Sequence, residues 1–200
     1  MSRTLTRMSS ATAGSGLTWE DFLNLPDDPK YRHAELVGGE LILVNPPTWL
    51  HQHVVAALCA LLWNWIQAGQ GRGAVTMEPP VQIRTDRGYL PDVAWFRQER
   101  SRPPAGSPYL SGPPDLAIEV LSDSTRSFDL LRKRTDYARV GVRELWLVEP
   151  DGPSAMVFRL PAEPVVPQEF VLVEELDPTE ALTSPLLPGL RIPLADLGTD

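Results

Sequence analysis

The chain has 200 residues, 42% hydrophobic and 22% charged, with a formal net charge of −8. That length fills one core and not comfortably two, and the acidic balance excludes a protein that coats nucleic acid non-specifically through lysine and arginine. The single cysteine, Cys59, excludes an internal disulfide framework or multi-cysteine zinc site.

The first sixteen residues are rich in Ser, Thr, Gly and Arg and hold no apolar core of signal-peptide length. They read as a loose tail, with one domain expected over residues 17–200. A helix is predicted from Thr18, whose hydroxyl suits a cap and which acids follow in the first turn. Pro26-Asp27-Asp28-Pro29 stops it. Glu35-Leu36-Val37 and Glu40 to Val44, joined by Gly38-Gly39, carry a hairpin signal.

A long helix is expected over Leu50 to Ala68, ended by Gly69 and Gly71. It is apolar almost all round, so it is either enclosed by the domain or shared with a second copy, and a homodimer is expected. Its apolar run is too short to span a bilayer, which gives a cytoplasmic protein as the expectation. Strands follow at Ala74-Met77, Val81-Arg84 and Asp92-Phe96, then a proline-rich loop from Arg97 to Pro114. The strand Leu116-Leu121, a helix from Ser127 to Val140 closed by Gly141, and the strand Glu144-Val148 come next. Met156-Leu160, Phe170-Val173 and Leu190-Ile192 read as short antiparallel strands. Alternating strands and helices without an inter-domain linker describe one α/β domain.

Two acids interrupt apolar strands. Glu119 lies inside Leu116-Ala117-Ile118-Glu119-Val120-Leu121, and Asp92 lies at the mouth of Val93-Ala94-Trp95. A carboxylate taken out of water is costly unless paired or metal-bound. On adjacent strands the two acids suit a hard divalent cation, whose remaining shell is water and substrate oxygen. The bland account is a capping role for Asp92 and a buried ion pair with an arginine for Glu119.

Lys133 stands out because only it and Lys30 are lysines among 18 basic residues. Asp129 and Asp136 lie within a helical turn of it, so an exposed intrahelical salt bridge is its simplest reading. His51 and His53 open a helix, where residues two apart face different ways, and a zinc pair is disfavoured. His51 remains a candidate helper at a helix N-terminus, and Glu35 a candidate pointing inward from the hairpin. Arg126, Arg132, Arg134 and Arg139 belong to a locally basic segment in an acidic chain, the candidate contact for nucleic acid.

Taken in order, Glu35-Leu36-Val37-Gly38-Gly39-Glu40-Leu41, Pro46-Pro47 with His51-Gln52, Leu90-Pro91-Asp92-Val93, Pro114-Asp115-Leu116 to Ser122, Asp129, Lys133, Tyr137-Ala138-Arg139 and Gly141 to Val148 resemble the Uma-type family of putative restriction endonucleases. The resemblance runs from about Leu17 to Leu197. It implies a restriction-endonuclease-like α/β domain, with a central mixed sheet flanked by helices and antiparallel strands at both ends. It further implies a magnesium- or manganese-dependent hydrolase of phosphodiesters, DNA being the expected substrate, with Asp92 and Glu119 as metal-binding acids. Related nucleases carry a lysine two residues after the second acid. That position is Leu121 here, and the resemblance moves the lysine to Lys133, with Glu35 and His51 as auxiliary groups. The competing expectation is a catalytically silent nucleic-acid-binding or protein-interaction module that keeps the fold.

Overall fold

The computed structural model describes residues 6–8, 16–31, 33–43, 46–122, 129–163 and 166–198, without the side chains of 6–8 and 129–130. A six-stranded sheet forms its centre. In spatial order it contains β11 (Val171–Leu176), β10 (Ser154–Arg159), β9 (Glu144–Glu149), β8 (Leu116–Val120), β7 (Val93–Phe96) and β4 (Ala74–Met77). Only β8 and β9 run parallel, with Glu119 paired to Leu147; every other neighbour is antiparallel, so the sheet is mixed, as expected. A parallel pair needs a crossover. Part of it is one π-helical turn, Asp129–Lys133, running directly into helix α3 (Arg134–Val140).

A second sheet holds β1 (Thr6–Met8), β3 (Glu40–Leu43), β2 (Ala34–Val37), β6 (Arg87–Tyr89) and β5 (Val81–Arg84) in that order. β2 and β3 form the expected hairpin, and Gly38 and Gly39 take φ of 63° and 78°. Two consecutive left-handed residues are what the tight hairpin turn requires. Within the stretch read as a loose tail, Thr6–Met8 pairs with the open edge of β3, where unpaired backbone groups offer a template for another strand. β12 (Ala181–Leu182) and β13 (Ile192–Pro193) form a small C-terminal pair.

Helix α1 (Trp19–Leu23) begins at Thr18 with a reciprocal capping box to Asp21. Helix α2 (Trp49–Gln67) is capped by Thr48 and lays Val54, Val55, Leu58, Leu62 and Ile66 on one face of the central sheet. Strand alternation sorts β8 accordingly. Leu116, Ile118 and Val120 face α2, whereas Ala117 and Leu121 face the cluster around Tyr137 and Val142. Glu119 shares the parity of this second set, and that places its carboxylate on the α3 side.

Candidate active site

Lys133 closes the π turn and is 5% exposed. Its Nζ lies 2.7 Å from Glu35 Oε1 on β2 and 3.1 Å from Glu119 Oε2 on β8. The exposed intrahelical bridge is therefore not the arrangement found. Asp136, one of the partners that reading assigned, is turned to β6, where it accepts from Tyr89 Oη at 2.6 Å and Arg87 Nη1 at 2.9 Å. Glu35 is likewise committed to an ion pair, and Lys133 also lies 5.8 Å from the centre of the Tyr89 ring. Tyr137, one helical turn after Lys133, donates from Oη to Glu119 Oε1 at 2.8 Å. Burial, then the adjoining Glu119 charge, raises the Tyr137 phenol well above its ordinary pKa and keeps it a proton-bearing donor.

Asp92 sits in the bend just before β7. Val93 pairs with Ile118, and continuing that register by one residue brings Asp92 abreast of Glu119. Its Oδ2 accepts from the Val120 backbone N–H at 2.7 Å and lies 3.4 Å from His51 Nε2. His51 is buried in the first turn of α2, where its own N–H is held by the Thr48 hydroxyl at 3.2 Å. The two acids thus meet at one end of β8, Asp92 engaged toward α2 and Glu119 toward α3. Glu78 donates its backbone N–H to the Asp92 carbonyl at 3.3 Å from a left-handed conformation, φ 47°, that non-glycine residues seldom adopt.

The basic segment is spread out. Arg126 lies outside the described residues. Arg132 and Arg139 are exposed, with Arg139 3.9 Å from Asp136, and Arg134 rests 5.2 Å from the centre of the Phe158 ring. Of the other histidines, His33 approaches Glu78 at 3.5 Å and His53 stacks on Trp49. Sequence reasoning gave no role to Tyr137, Tyr89 or Arg87, and gave Asp136 only an exposed bridge to Lys133. Only Tyr137 carried a local signal, its spacing of four from Lys133.

Among the described residues no group of three or more His, Cys, Asp or Glu is arranged to hold a metal ion, and no helix is long and apolar enough to cross a membrane. A mixed sheet with two acids at one end, backed by a buried lysine from the crossover, defines a nuclease-like α/β domain. The chain belongs to the Uma2 family, described as "Putative restriction endonuclease", whose model matches residues 19–195. It is also similar to the crystal structure of a putative nuclease belonging to DUF820 from Anabaena variabilis, at a TM-score of 0.71 and 20% identity, covering 90% of this chain and 97% of that one. The chain matches no curated protein.

Proposed function

We propose that the protein is a cytoplasmic, metal-dependent endonuclease that hydrolyses phosphodiester bonds of nucleic acid, DNA being the substrate class, and that it works as a homodimer. The carrying observation is Lys133, buried between Glu35 and Glu119 at the end of β8 that also holds Asp92. Asp92 and Glu119 fit a hard divalent ion by donor type, and the register of β7 on β8 brings their backbones abreast. Glu35 and Glu119 set two carboxyl groups against one ammonium, an excess that a divalent cation would balance. Both Glu119 oxygens accept hydrogen bonds, yet a carboxylate oxygen has a second lone pair to offer. When bound, Mg²⁺ or Mn²⁺ would supply Lewis acidity at the phosphate and a lowered pKa for the attacking water.

The chain's own groups do the rest. Lys133 presents a fixed positive charge where negative charge develops on the phosphoryl oxygens. Glu35 holds that ammonium in place, and Tyr137 fixes one oxygen of Glu119. His51 supports Asp92 from the first turn of α2. Arg126, Arg132, Arg134 and Arg139 contact the backbone phosphates outside the site.

One observation favours a second reading, a catalytically silent module: Glu119 is 2% exposed and already satisfied on both oxygens. Calorimetric titration with Mn²⁺ separates the two. An active site binds the ion and loses it in Asp92→Asn and Glu119→Gln, whereas a silent module gives no heat in any of the three. Incubation with duplex DNA, single-stranded DNA and RNA in Mg²⁺ or Mn²⁺ then tests turnover. Cleavage that Glu119→Gln abolishes supports the endonuclease; intact substrates under every condition reject it.

A further inference from the structure

Helix α2 has a second face that the described residues leave exposed. None of its 19 residues is charged. Opposite the buried set, Trp49 is 70% exposed and Trp63 52% exposed, and Ala56 and Ala60 are exposed between them. At 3.6 residues per turn these four fall within an arc of about 60° and span about 21 Å of helix axis. A solvated helix face normally carries charge, so an apolar one with two large indoles marks an interaction surface.

The order of residues on this face identifies the occupant. Ala56 lies midway between Trp49 and Trp63, so the face reads as large, small, large. Two such helices packed antiparallel about a two-fold axis near Ala56 set Trp49 of each against Trp63 of the other. The alanines at the centre let the backbones approach to about 8–10 Å. An isologous interface requires this self-complementarity, residue i meeting j while j meets i. A nucleic-acid strand would also stack on indoles, but α2 offers no Lys or Arg for its phosphates. The exposed Val171, Leu172 and Val173 of edge strand β11 are a poorer surface for a second copy, because Glu174 and Glu175 continue the same strand.

We infer that this face of α2 is the homodimer interface, an antiparallel α2–α2 packing in which Trp49 and Trp63 of two copies interlock across Ala56 and Ala60. The inference rests on the homodimer proposed above, but its test reads mass and not cleavage, so the two stand or fall separately. In such a pair each His51 lies five residues from the two-fold axis, on opposite sides of it, which sets the two His51 residues about 15 Å apart along the helix axis.

Sedimentation equilibrium of the full chain at micromolar concentration should give twice the 22.2 kDa chain mass. Ala60→Lys and Trp63→Lys, both on exposed positions, should each weaken dimerisation at least tenfold with circular dichroism and melting unchanged. Ala56→Cys in a Cys59→Ala background should crosslink to a dimer on mild oxidation. A parent chain that sediments only as a monomer overturns the inference. So does a dimer that both lysine substitutions leave intact, which would move the interface elsewhere. A monomer whose affinity for a single-stranded oligonucleotide falls in Trp49→Ala would give the face to nucleic acid instead.

Discussion

Lys133 pairs with both Glu35 and Glu119, so its removal takes a common cation from two carboxylates in the interior. Breaking a buried pair from one side costs about 3–5 kcal/mol, and Lys133→Met should lose stability on that scale in urea unfolding. Adding Glu35→Gln to Lys133→Met should recover part of the loss, because one buried negative charge disappears with it. No recovery would mean that the lysine stem, and not its charge, does the packing. In single-turnover cleavage Lys133→Ala should be slower by about a hundredfold or more, as for loss of a group aimed at developing charge. Lys133→Arg should also be impaired, since a planar guanidinium cannot replace a compact ammonium between two carboxylates. Rates within a few-fold of the parent for both would remove Lys133 from the chemistry.

Asp115 gives a pH test at the same scale. Burial pushes its carboxyl up, but hydrogen bonds from the Arg97 backbone and guanidinium, with the charges of Arg100 and Arg97, outweigh it and hold it below its ordinary value of 3.8. A folded-state pKa below the unfolded one contributes stability above the unfolded value and loses it as pH falls through the folded one. Unfolding free energy should therefore drop as pH falls below about 4, and Asp115→Asn should show a shallower drop from a lower start. Parallel acid limbs for the two proteins would contradict this. At this scale Asp92 and Glu119 were legible because a charge inside an apolar run is conspicuous. The Lys133 partnership was not. Its nearest acids in sequence, Asp129 and Asp136, offered a local explanation, whereas Glu35 and Glu119 reach it only through tertiary structure.

Elements with a local cause could be read in the chain. The α1 cap, the Gly38-Gly39 hairpin and the glycine ending α3 each depend on one or two residues next to the boundary. The β6 strand had no such cue. Arg87-Gly88-Tyr89 lacks a strand pattern and is ordered by pairing with β2 and β5. Its glycine also answers to packing, since a Cβ at Gly88 would sit 1.9 Å from Trp19 Cζ3. Gly88→Ala should force the indole aside and destabilise the protein by about 1–3 kcal/mol, in the range of overpacked cores. Trp19→Leu should relieve that clash, so the double variant should melt above Gly88→Ala alone. If Gly88→Ala melts with the parent, α1 is not packed on β6. The π turn was equally invisible in sequence, because a helix pattern gives no notice of one widened turn. Yet that turn carries Lys133, and such turns recur at functional sites.

Over the whole molecule, a net charge of −8 must be reconciled with the polyanionic substrate proposed above. Long-range attraction cannot supply the affinity, so it must come from a local patch, and the segment around α3 is the candidate. Arg132 and Arg139 are exposed on it, and Arg139 pairs only loosely with Asp136, at 3.9 Å. A pair this long, with its arginine mostly exposed, contributes about 0–1 kcal/mol. Reversing both charges, Arg132→Glu with Arg139→Glu, should therefore leave the melting temperature within a few degrees of the parent. Binding should respond far more. Removing one phosphate-neutralising arginine should flatten the slope of log affinity against log salt by about 0.9 on duplex DNA, and removing both by about twice that. Fluorescence anisotropy of a labelled duplex across 50–200 mM salt, about the range over which such ionic contacts weaken, measures both affinity and slope. The variant should still cleave DNA held at saturating concentration, because Lys133, Glu35, Glu119 and Asp92 are untouched. A parent protein whose binding ignores salt, or a variant with an unchanged slope, would leave these arginines as solvated surface and require the nucleic acid to approach the site from another side.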